Sequence, residues 1–124
     1  MRVLLSIKPE FAEKILNGQK HFEFRKSIFK RDVTTVVIYS TMPVGLVVGE
    51  FDIKEIIQDS PAEVWKITKD LSGISESFFD SYFESRSKAY AIQIGEVRRY
   101  SHPKYLSDII PTKAFAPQSY RYLS

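Results

Sequence analysis

The 124-residue sequence contains no cysteine. Disulfides and thiolate metal sites are therefore excluded, and the composition agrees with a reducing compartment such as the cytoplasm. Histidine is nearly as scarce. His21 and His102 are the only two, neither has a carboxylate at ligand spacing, and no zinc site or other cofactor is expected. There is no Gly-rich phosphate loop and no local Ser/His/Asp or Cys/His signature of nucleophilic catalysis. No apolar run approaches the ~18 residues of a membrane span. The first residues open directly as a strand, without the charged and apolar regions of a signal peptide, so a soluble, unexported chain with no membrane partner is expected. Repeats and low-complexity tracts are also missing.

What is present is a packed globule. Hydrophobic residues make up 44% and aromatics 14%, enough for a core and too many for disorder. The length suits one domain over residues 1–124. The net charge of +3 is mild, but its distribution is uneven. Residues 1–31 carry eight Lys and Arg against three acids, residues 32–85 three against ten, and residues 86–124 seven against two. If the two ends fold together they make a basic surface, with the acidic middle turned elsewhere; the other possibility is that the charges interleave.

The most informative stretch is Ile7 to Lys26. Pro9 fits the first turn of a helix. Phe11, Ala12, Ile15 and Leu16 recur on one face, with Glu10, Glu13, Lys14 and Asn17 on the other. Gly18 follows as a left-handed cap. From His21 the period becomes 2, so Phe22 and Phe24 face one way while His21, Glu23 and Arg25 face the other. Lys20 has the wrong parity for the second face, and only a turn or bulge at Gly18 to Lys20 brings its ammonium beside Glu23 and Arg25. By spacing alone, Glu23 and Arg25 also suit a surface ion pair.

Gly18, Lys20, Glu23 and Arg25 read G-x-K-x-x-E-x-R after a short helix. With VLLSIKPEFAEKI before them, VVIYSTMPVGLVVGEF after them and APQSYRYL at the end, the chain resembles the ASCH domain family of the PUA-like superfamily over nearly its whole length. The resemblance implies an α+β fold, a small mixed β-barrel with a short helix after the first strand. It also implies a cleft lined by the signature charges that binds RNA or a nucleotide. Ser40 and Thr41 would then lie near the cleft mouth as hydrogen-bond donors to the ligand.

Along the rest of the chain, Lys8 at the strand-helix junction can approach a phosphate or simply be solvated. Ser27 to Asp32 is a basic loop in which Phe29 either stacks a base or anchors the loop in the core. Val33 to Tyr39 reads as a central strand buried on both faces, and Leu46 to Ile57 as one bent strand or two. A helical pair inserted before the last strands is capped by Ser60 and Ser75. Trp65 and the stripe Phe78, Phe79, Tyr82 and Phe83 are expected in the core, and Glu76, Asp80 and Glu84 on the far side would repel nucleic acid. Ala89 to Ile94 and Val97 to Tyr100 are strands, and QSYRYL is a closing strand. If it borders the first strand, Ser119 reaches the cleft.

Three activities follow. Glu23 can accept from a base's exocyclic amine while Lys20 and Arg25 pair with a phosphate or carbonyl, which is nucleotide recognition. Some small ASCH proteins are amidohydrolases on acetylated cytidine, using the signature lysine, a threonine three positions later and a distant glutamate. Here position 23 is Glu, which removes that threonine. Other members suggest ribonuclease activity using lysine with tyrosine and serine hydroxyls, for which Tyr39 and Ser119 are the available groups.

Overall fold

The computed structural model describes residues 1–110, 117 and 119–123. β1 (Arg2–Ile7) runs straight into α1 (Pro9–Leu16), whose first position is proline, where the missing N–H has no helical partner to lose. Ala12 and Ile15 are the buried positions of α1, with Phe11 and Leu16 half-buried beside them, the face the periodicity predicts. A turn at Gly18 then leads into β2 (Phe22–Arg25).

β3 (Thr35–Ser40) and β4 (Leu46–Asp59) pair antiparallel, with the register slipping between Ile38 and Tyr39; β4 is one bent strand. The helical insertion follows: α2 (Pro61–Thr68), a 3-10 turn (Lys69–Leu71) and α3 (Glu76–Tyr82). The Ser60 hydroxyl accepts from the Glu63 N–H at 3.3 Å and the Ser75 hydroxyl from the Phe78 N–H at 3.1 Å, so both caps read from the sequence form. β5 (Ala89–Lys104) joins into one strand the two runs that the sequence separates at Gly95. One unanticipated turn, α4 (Leu106–Ile109), precedes the closing β6 (Tyr120–Tyr122).

The strands form one sheet in the order β2-β5-β4-β3-β1-β6. β1 and β3 are parallel and the other pairs antiparallel. The continuous apolar run of β3 predicts burial on both faces; this is met there, and β1 is buried in the same way. Val3, Leu5, Val36 and Ile38 face the main core inside the curled sheet, while Leu4, Val37 and Tyr39 face a second cluster covered by Leu106 and Ile110. A third cluster joins Phe22 and Phe24 of β2 to Val64, Phe79 and Phe83 of the insertion, with Trp65 tilted on Phe79 at 4.9 Å. The result is the expected mixed α+β, PUA-like half-barrel with its helical pair inserted before the last strands.

Two alternatives that the sequence leaves open are decided here. The acidic middle of the chain is not turned away from the basic end, because β4 and β5 are neighbours and Glu50 lies directly opposite Arg98. Arg98 pairs with Glu50 at 2.8 Å and Asp52 at 2.6 Å, so the β4 acids interleave with the bases of β5. Phe29 is buried against Tyr120 at 5.8 Å and serves as the anchor of its loop, with no face left for a base. Among the described residues no helix is long and apolar enough to cross a membrane.

Candidate functional site

The open side of the half-barrel, where the β2 edge comes near the end of β1, holds a cleft of about 250 Å³. Ser6, Ile7 and Lys8 form one wall and Phe11 another; Lys20, Glu23, Phe24 and Arg25 line the base, and Ile74, Phe78 and Tyr82 close it from the insertion. The volume falls below the ~300–1,000 Å³ usual for drug-sized ligands, which suits one small planar group with its substituents.

Lys20 reaches this cleft through the turn that precedes β2. Gly18 takes φ +86°, a conformation that side chains with a Cβ resist. The N–H groups of Gln19 and Lys20 both donate to the Lys14 carbonyl, and the His21 N–H donates to the Leu71 carbonyl, pinning the turn between α1 and the insertion. The Lys20 side chain is thereby folded inward, with only 2% of its surface exposed. Its ammonium lies 4.7 Å from the Phe24 ring and 5.3 Å from the Phe11 ring and donates to the Ser72 carbonyl at 2.8 Å. Burial pulls its pKa down to about 8, against the pull of the Glu23 carboxylate in the other direction and with help from Lys14.

Gly73 makes room for this lysine. At φ +71°, a Cβ there would sit 2.6 Å from both Cβ and Cγ of Lys20, against the fixed root of the side chain. The Gly73 carbonyl also accepts from Lys14 at 3.2 Å.

Glu23 is opposite Ile92 in the β2/β5 register, so it points to the inner face of the sheet while Phe22 and Phe24 point to the insertion. It is 6% exposed and pairs with Arg25 at 3.2 Å. The Arg25 guanidinium donates in addition to the Ser119 carbonyl at 2.9 Å, and at 3.5 Å lies at the limit of a bond to the Ser6 carbonyl. One arginine thus ties the β2 edge to β1 and to the segment entering β6. The expected turn does what parity required: Lys20, Glu23 and Arg25 line one cleft.

Comparison with known proteins gives this arrangement a family. Residues 5–109 match the ASCH domain. The chain belongs to the ASCH domain family. Its fold superposes on the crystal structure of ASCH from Zymomonas mobilis with a TM-score of 0.91 at 29% identity, covering 99% of this chain and 87% of that one. An ASCH domain-containing ribonuclease of Zymomonas mobilis is 34% identical over 89 residues, 71% of this chain and 60% of that protein. A Ureaplasma parvum protein named large ribosomal subunit protein uL22 is 30% identical over 122 residues, 98% of this chain. The chain spans 39% of that protein's length.

In this ASCH domain the other residues singled out by sequence are distributed around the cleft. Lys8 lines it, with its ammonium 5.4 Å from the Phe78 ring. Ser40 is buried beside Ile7 at the end of β3, and the Thr41 N–H donates to the Ile7 carbonyl at 3.0 Å; neither is among the lining residues. Ser119 meets the site through its carbonyl on Arg25. Tyr39 packs in the cluster on the opposite face of the sheet, away from the cleft. The cleft tyrosine is Tyr82, whose phenol is pushed up by burial while the Arg25 charge acts the other way.

Sequence reasoning missed Ser6, Ile74 and the outer half of the aromatic stripe. Phe79 and Phe83 are core, but Phe78 is 37% exposed and Tyr82 is half-buried, and both line the cleft. The available signal was width. Phe78 and Tyr82 lie about 100° round the helix from Phe79 and Phe83, so the stripe is wide enough for one edge to face the core and the other the cleft.

Proposed function

We propose that this ASCH domain binds RNA by holding one nucleotide in the cleft of Lys20, Glu23 and Arg25. The observation that carries the reading is that two almost fully buried charges, Lys20 and Glu23, converge with Arg25 on a hollow and not on a packed core. Desolvating an ion pair is as a rule worth no more than replacing it by apolar side chains, so these charges are better accounted for by a ligand than by stability. Glu23 accepts from an exocyclic amine, and Arg25 and Lys20 meet a carbonyl or phosphate.

The test is binding of a fluorescein-labelled pentaribonucleotide followed by anisotropy at several salt concentrations. Lys20→Ala and Arg25→Ala are expected to weaken binding at least tenfold and to flatten its salt dependence. Unchanged affinity in both variants removes the assignment.

A second reading, RNA phosphodiester cleavage, is favoured by the lowered pKa of Lys20 and by the name of the Zymomonas mobilis relative. A lysine that titrates near pH 8 supplies a neutral amine for proton transfer close to working pH. Cleavage of the labelled oligomer should then rise with pH to a plateau above about 8 and vanish in Lys20→Ala. The absence of cleavage at high protein concentration, over that pH range and with divalent cations supplied, leaves binding alone. Amidohydrolysis of acetylated cytidine finds no support, because Glu23 stands where its threonine belongs and is the sole carboxylate lining the cleft among the described residues.

A further inference from the structure

The outer edge of α3 presents two aromatic rings to the cleft. Phe78 and Tyr82 are 10° from parallel with centroids 6.4 Å apart, and each carries a lysine: the Lys8 ammonium lies 5.4 Å from the Phe78 ring and the Lys26 ammonium 4.7 Å from the Tyr82 ring. Lys8 and Lys26 are exposed side chains on flexible stems, unlike Lys20, whose ammonium is held by the Ser72 carbonyl. The opposite side of α3 is acidic and exposed, with Glu76 and Asp80, and exposed Glu84 follows just past its end.

We infer that Phe78 and Tyr82 are the base-recognition wall of the site, and that Lys8 and Lys26 cover those rings until an unpaired base displaces them and they move to its phosphates. This rests on the RNA-binding reading above and adds the residues that orient the ligand. Stacking of a base on an aromatic ring is stronger than a cation–π contact at an exposed site, so the exchange is downhill for the ring. The released ammonium gains a phosphate, which is a stronger partner than a ring quadrupole. The acidic outer face of α3 keeps phosphates away from that helix, so a nucleotide enters with its base toward α3 and its backbone along the Lys8 and Lys26 rim. Its polar edge is then presented to Glu23 and Arg25 at the bottom of the cleft.

The experiment uses the full chain and a pentaribonucleotide with 2-aminopurine at its centre, a base whose fluorescence falls on stacking. Binding to the unaltered protein should quench the probe. Phe78→Ala should abolish the quenching and weaken binding about 5–150-fold with the salt dependence unchanged, as expected for loss of one stacked base. Tyr82→Leu keeps the packing on Phe83 while removing the ring, and should act in the same direction; circular dichroism establishes that it is folded. Lys8→Ala and Lys26→Ala should leave the quenching intact and reduce the salt slope by about 0.7 each, the value for one phosphate contact on a single strand. An otherwise identical pentamer with an abasic centre should bind the Phe78→Ala variant and the unaltered protein equally. If the unaltered protein binds the pentamer without quenching, or both aromatic variants bind as it does, the wall is refuted while the RNA-binding reading stands. If the unaltered protein does not bind the pentamer at all, that reading falls and this inference with it.

Discussion

A lysine ammonium with 2% of its surface exposed has lost nearly all its hydration, and two aromatic rings and one carbonyl replace it only in part. The depression of the Lys20 pKa to about 8 expresses that deficit. Against the ~10.4 of an unfolded lysine it amounts to about 3 kcal/mol in order of magnitude. Below pH 8 both states hold the proton and the cost is fully present. Between pH 8 and about 10.4 the unfolded chain holds more protons than the folded one, so stability rises with pH across that window. Lys20→Met is therefore expected to gain about 1–3 kcal/mol at pH 7 in urea unfolding and to lose the rise above pH 8. A variant no more stable than the parent at pH 7 would mean that the site tolerates this charge without penalty. Gly73→Ala should do the reverse, losing at least about 1–2 kcal/mol through its left-handed backbone and displacing Lys20 from the cleft, read as lost RNA binding. The meeting of Lys20 with Glu23 and Arg25 was legible as one of two outcomes, because a change of hydrophobic period and one glycine permit the turn it needs without requiring it. The role of Gly73 was not legible, since its contact with Lys20 joins residues more than fifty positions apart.

β2 is four residues long and sits at the edge of the sheet, where a strand this short has little stability of its own. Arg25 holds it to the far edge by its bond to the Ser119 carbonyl. Lysine keeps the charge but lacks the planar fork that reaches carboxylate and carbonyl together. In Arg25→Lys, amide exchange at Tyr120 and Tyr122 should accelerate roughly tenfold by hydrogen–deuterium exchange, the effect of losing ~1.4 kcal/mol of local protection. Unchanged exchange there would show that β6 is held by its pairing with β1 alone. α3 marks the opposite limit of sequence reading. Its start at Ser75 and its aromatic period were plain, but which half of the stripe is core depends on where β2 lies, and no local pattern carries that.

Across the whole molecule, the segregation of charge along the chain is undone by the β4/β5 pairing. Hydrogen bonds from Arg98 hold the Asp52 carboxyl below its ordinary range. Glu50 is also lowered, hydrogen bonds from Tyr100 and Arg98 outweighing a burial that acts the other way. Groups depressed in this way contribute stability above their unfolded pKa values and lose it as the pH falls through the folded ones. The melting temperature should therefore fall as the pH drops from about 5 toward 3, and Arg98→Met should flatten that part of the curve. Equal slopes in the two proteins would assign acid sensitivity to other carboxylates. The exposed position of Arg98 also makes its contribution sensitive to salt.

The amino-acid order by itself determined most of the elements, though not α4 or the unbroken run of β5, because proline, glycine, serine caps and the switch between periods of 3.6 and 2 act within a few residues of where they stand. It also put Glu23 and Arg25 on one face of a strand, with a glycine turn beside them that permits Lys20 to join. Tertiary structure alone decided what that surface is. The curl that brings β2 toward β1, the glycine beneath Lys20 and the aromatic edge of α3 all come from contacts between distant segments, and a cleft exists only once those segments have met.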